Sequence, residues 1–104
     1  METLLKSFTK NVAASGTPEP LQQNRLASDF IKIKAKSTNT KTVSIGDSSS
    51  QDFELAAGIE LSLNEVLEKN GGCTTLDLAK IYCKVQVNGE GVEVLYALRP
   101  SAGL

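Results

Sequence analysis

A period of two runs through Phe30–Lys36, where Ile31, Ile33 and Ala35 alternate with Lys32, Lys34 and Lys36. Side chains two apart share a face in an extended strand but fall on nearly opposite sides of a helix. A helix would therefore mix the lysines with the apolar residues, whereas a strand separates them into a buried face and a wetted one. The segment predicts a half-buried strand, and it needs a second apolar layer to cover it.

That layer is supplied by further alternating segments. Val43 and Ile45 share a face within Thr42–Gly46, and the polar stretch Ser37–Lys41 before them reads as a hairpin loop. Gly46-Asp47 and Ser48–Asp52 have turn chemistry and predict an exposed loop. Phe53 and Leu55 resume the alternation, Ala57-Gly58 marks a bend, and Ile59, Leu61 and Leu63 alternate with Glu60, Ser62 and Asn64. Ile81, Cys83, Val85 and Val87 face one way, and so do Val92, Val94, Tyr96 and Leu98. Asn88-Gly89-Glu90-Gly91 tolerates positive φ, so these two segments predict a hairpin. The expected core face carries Ile31, Ile33, Val43, Ile45, Ile81, Val85, Val92 and Val94.

Three segments carry mixed signals. Leu4, Leu5, Phe8 and Val12 have helical spacing, yet Phe8, Lys10 and Val12 alternate, so residues 1–15 form an amphipathic arm or a first strand. Gly16–Pro20 predicts irregular chain, followed by a short edge strand in Leu21–Leu26. Asn64–Lys69 holds good helix formers but runs into Asn70-Gly71-Gly72, which allows one helical turn at most. Asp77-Leu78-Ala79-Lys80 reads as a turn capped by the Asp77 carboxylate. Arg99-Pro100 ends the last strand. Six to eight short strands without βαβ alternation predict an all-β fold, a small antiparallel sandwich or barrel of jelly-roll-like form. Its domain spans 16–98 and its tail 99–104.

The 104 residues suffice for one core. A formal charge of −1 and a pI near 5.4 provide no global attraction for nucleic acid or an anionic membrane, so neither is expected as a partner. No stretch reaches the ~20 apolar residues of a spanning helix, and Met1–Val12 lacks the apolar run of a signal peptide; synthesis in the cytoplasm is expected. The chain has no histidine, which removes the commonest general base and most zinc sites. No catalytic residue, cofactor or metal site is expected, and Asp47, Asp52 and Glu54 lack a spacing that would converge them on calcium. Cys73 and Cys83 are expected as reduced thiols, with Cys83 buried; a Cys73–Cys83 bridge is the alternative. Lys32, Lys34 and Lys36, extended by Lys41 across the expected hairpin, form a basic stripe. It reads as a solvated face that could also meet an acidic partner protein.

Asn39–Asp47, Ala56–Leu61, Leu76–Tyr82 and Gly91–Tyr96, with Gly16–Leu21 upstream, resemble in pattern and order the small β-rich structural proteins of tailed phages. The resemblance covers residues 8–97. It departs at Lys41, where those proteins often have glycine, and in the polar insert 64–75. It implies a virion component made in the host cytoplasm: a capsid decoration or cement protein that docks on the major capsid protein, with a neck or tail accessory as the alternative. It also implies a homo-oligomer, with a trimer favoured. A receptor- or carbohydrate-binding β module and a small hydrolase acting through Asp47, Asp52 or Glu54 are the rivals from other classes. Leu4, Leu5, Phe8, Lys32, Lys34 and Lys36 are the expected partner-binding residues.

Overall fold

The computed structural model describes residues 4–64, 66–67, 73–74 and 76–98. Its strands are β1 (Leu4–Asn11), β2 (Glu19–Pro20), β3 (Ala27–Ala35), β4 (Val43–Gly46), β5 (Phe53–Leu55), β6 (Glu60–Asn64), β7 (Val66–Leu67), β8 (Cys73–Thr74), β9 (Leu76–Asp77), β10 (Tyr82–Val85) and β11 (Gly91–Leu98). A short 3-10 turn, Leu78–Lys80, joins β9 to β10.

Two antiparallel sheets carry the fold, one ordered β1-β11-β3-β6 and the other β2-β10-β4-β5. The pairs β1/β11, β2/β10, β3/β6 and β4/β5 nest inside one another along the chain, with β4/β5 at the tip. Successive pairs fall in opposite sheets, and β11/β3 and β10/β4 complete each sheet. A long antiparallel ribbon wrapped on itself in this way is a jelly roll, the form of sandwich expected from the spacing of strands. β9 prolongs the β6 edge by pairing with Ala27 and Ser28, and β7 pairs with β8 apart from both sheets.

This wrapping overturns two expected hairpins. β3 and β4 lie in different sheets, and so do β10 and β11. The stretches Ser37–Lys41 and Asn88–Gly91 are crossings between the layers, and they are tied to each other. Asn39, which is buried, donates from Nδ2 to the Gly91 carbonyl at 2.8 Å and accepts from the Gly91 amide at 3.3 Å. The Glu90 carboxylate accepts from the Thr40 amide and hydroxyl, both at 2.7 Å. Gly91 must be glycine for a steric reason, since a Cβ there would run into the Lys10 carbonyl oxygen of β1. Gly89, at φ 86°, supplies the turn that the sequence predicts.

Other expectations shift locally. Glu19–Pro20, expected to be irregular, is strand β2, and the edge strand expected in Leu21–Leu26 is absent. Proline is accommodated because β2 is an edge, where an amide is not needed on the open side. Val66–Leu67 is strand, in place of the helical turn that the helix formers of Asn64–Lys69 allow. Residues 1–3, 65, 68–72, 75 and 99–104, which include the start of the expected arm, much of the polar insert and the tail, lie outside the described residues.

The core lies between the sheets. Ile31, Ile33 and Ala35 of β3 and Val92, Val94 and Tyr96 of β11 meet Val43, Ile45, Leu55, Cys83 and Val85 from the facing layer. Three connections add Val12, Leu21 and Leu78, all buried. Of the expected core, Ile81 is half-buried, and Val87, in phase with it, is exposed. At roughly 1.5–3 kcal/mol for each fully buried aliphatic side chain, this layer is the main source of stability.

Candidate docking surface

The outer face of the β1-β11-β3-β6 sheet carries most of the residues singled out in the sequence. Alternation sends Lys32 and Lys34 outward, because Ile31, Ile33 and Ala35 point in. Cross-strand register then fixes their neighbours: Lys34 lies beside Glu93 on one side and Glu60 on the other, and Lys32 beside Leu95 and Ser62. Lys32 Nζ stands 3.3 Å from Glu60 Oε1, and Lys34 Nζ 3.9 Å from Glu93 Oε1. Lys36 Nζ donates to Asn11 Oδ1 at 2.9 Å. The stripe is thus charge-matched at two of its three positions. Such exposed pairs contribute about 0–1 kcal/mol each and leave little net field for phosphates. A shallow groove of about 530 Å³ crosses this face, lined by Ser7, Thr9, Lys32, Lys34, Glu60 and Glu93 among others.

Two expected members of the surface lie elsewhere. Phe8 turns inward and meets Tyr96 edge-on, with ring centroids 5.7 Å apart. Lys41 does not extend the stripe, because no hairpin carries it across; it sits beside Thr42, Ala56, Ala57 and Gln86. Leu5 points outward and is 56% exposed, while the side chain of Leu4 lies outside the described residues. The helical spacing of Leu4, Leu5 and Phe8 therefore does not describe a common face, since β1 puts Leu5 and Phe8 on opposite sides.

The acidic loop satisfies itself. Asp47 accepts from the amides of Ser49 and Ser50 at 2.8 and 2.9 Å, and Asp52 accepts from the Ser50 hydroxyl at 2.6 Å. Gln51 folds inward to donate to the Asp47 carbonyl. Among the described residues, no three His, Cys, Asp or Glu side chains gather as a metal-holding group.

Comparison with protein-family models, with curated proteins and with solved structures finds no match to this chain.

The remaining polar features of the fold are ties between segments. Lys10 and Glu19 meet at 2.8 Å and join β1 to β2 across the sandwich edge. The hydrogen bond from Lys10 holds the Glu19 carboxyl below its ordinary pKa. Asp77 caps the 3-10 turn through the Ala79 amide, as its place in the sequence predicts, and also accepts from the Leu26 amide, each at 3.0 Å. Burial works against its charge, but those two amides, with Arg25 and Lys80 nearby, outweigh it and hold the carboxyl below its usual value. Cys83 is a free, buried thiol within the core, and desolvation pushes its pKa up to about 11. The side chain of Cys73 lies outside the described residues. The Asn39–Gly91 tie and the Lys10–Glu19 pair are not legible in the sequence, since each joins residues whose proximity depends on the wrapping.

Proposed function

We propose that the chain is a non-enzymatic structural protein of a tailed-phage virion, a decoration or cement protein that docks on the major capsid protein. The observation that carries this reading is the jelly-roll wrapping, an architecture recurrent in capsid and lectin domains, together with an interior filled by aliphatic side chains. A domain packed in this way does its work with its outside. The pattern resemblance over residues 8–97 supports a virion component over a lectin, and the charge-matched outer face suits a wet, specific contact with another protein more than attraction to a polyanion.

The test is co-sedimentation of the purified full-length chain with phage heads assembled without it, alongside mass analysis of complete particles. Saturable binding to heads, with a fixed number of copies per particle, is the expected result. Absence from particles, with no binding to heads or tails, would remove the proposal. Binding on a glycan array would then put a carbohydrate-binding module in its place.

A further inference from the structure

The first strand leaves a long hydrogen-bonding edge open. β1 runs for eight residues and, among the described residues, pairs with β11 alone, whereas the edges of the other sheet, β2 and β5, have two and three residues. Which of its main-chain groups face outward follows from the ladder. The Val12 amide bonds to Glu90, and the Gly89 amide bonds to the Val12 carbonyl, so Val12 turns its polar groups toward the β11 side. Alternation in an antiparallel pair then turns those of Lys10, Phe8 and Lys6 the same way. The amides and carbonyls of Leu5, Ser7, Thr9 and Asn11 point to the open side, where no backbone partner meets them among the described residues.

The side chains along this edge set conditions on an occupant. Lys6, Phe8 and Lys10 share the inward row. Lys10 is matched by Glu19, while Lys6 is exposed and makes no ion pair among the described residues. Inward lysines on an edge discourage chance pairing, because an arriving strand must cover a charge. A second copy suits the edge poorly: β1 carries two lysines and no acid, so pairing two such edges adds like charges to one ladder. An extended strand with an acid opposite Lys6 and an apolar residue opposite Phe8 meets both conditions.

We propose that the β1 edge is a strand-addition site, which receives an extended segment of a different protein carrying an acid two residues from an apolar side chain. Main-chain bonds from Leu5, Ser7 and Thr9 hold the segment, and Lys6 selects it. This holds whether or not the partner belongs to a virion.

The probe is a blocked peptide alternating threonine and valine, with one glutamate in the valine row, compared with the same peptide carrying lysine there. Titration of the full-length chain, followed by amide NMR at low salt, should slow exchange and shift the amides of Leu5, Ser7 and Thr9. The glutamate peptide should bind about fivefold more tightly than the lysine peptide, the combined effect of a favourable and an unfavourable cross-strand pair. Ser7→Pro removes an outward amide while leaving the bonds to β11 intact, and should abolish binding with the melting curve retained. Lys6→Glu should reverse the peptide preference, which gives a second reading should the proline variant unfold. No perturbation at millimolar peptide, changes confined to β5 or β6, an unreversed preference in Lys6→Glu, or dimerisation of the chain through β1 would each overturn the proposal.

Discussion

Ile33 and Lys32 are neighbours in sequence with opposite environments, and they offer the sharpest test of the core. Ile33 is fully buried between the sheets. Its replacement by Ala should cost about 2–5 kcal/mol, the transfer term plus the cavity left behind. Lys32→Ser should change stability by no more than about 0.5–1 kcal/mol, since its ion pair is exposed. Urea unfolding of both variants checks the assignment, and equal midpoints would sink it. Asn39 poses a different question. Asn39→Ala would leave both main-chain groups of Gly91 without that side chain, one of them a carbonyl also used by Lys36. A loss of about 1–3 kcal/mol is expected from buried groups left unsatisfied, and a Gly91 amide that exchanges no faster in the variant would contradict this account.

At the scale of elements, period two marked the strands well. Ile31–Ala35, Val43–Ile45, Cys83–Val85 and Val92–Tyr96 all lie where alternation put them, inward faces included. What it could not give was pairing. A polar loop of five residues serves equally as a hairpin turn or as a crossing between layers, and the difference lies in contacts such as Asn39 with Gly91, 52 residues apart. β1 was ambiguous for a related reason: as an edge strand, it sets Lys6 and Lys10 in its inward row beside Phe8, so its alternation looks broken. Of the candidate docking residues, the outward lysines are legible in the sequence, but their acidic neighbours Glu60 and Glu93 are set by register across three strands. Asp77 was legible as a cap, while its second bond, to Leu26, was not. That second bond has a consequence for pH. The Asp77 carboxyl lies below its ordinary value in the fold, so its contribution is complete above the unfolded pKa of about 3.9 and is lost as pH falls through the folded value. Asp77→Asn keeps an acceptor but no charge, and its acid unfolding should show a shallower pH dependence than the parent; superimposable acid arms would exclude this role.

For the whole molecule, the alkaline limb of stability has an identifiable contributor. Cys83 has a raised pKa in the fold, so the unfolded chain loses that proton first, and stability should fall between the ordinary thiol value of about 8.5 and about 11. Cys83→Ala will be less stable at neutral pH because of its cavity, but its denaturation midpoint should decline less steeply from pH 8 to 11. A parallel decline in both proteins would show that the thiol carries none of the effect. The nested pairing of the jelly roll also bears on how the chain reaches its fold. β11 is the common neighbour of β1 and β3, and Leu4 lies opposite Leu98. Until residues 91–98 have been synthesised, the first and third strands lack the strand between them, and much of one sheet must wait. Contacts this distant in sequence belong to folding in milliseconds to seconds rather than microseconds. During that interval a nascent chain exposes Ile31, Ile33 and the full length of β1 to its surroundings, so the yield of folded protein should depend on what shields those strands while the ribosome is still at work.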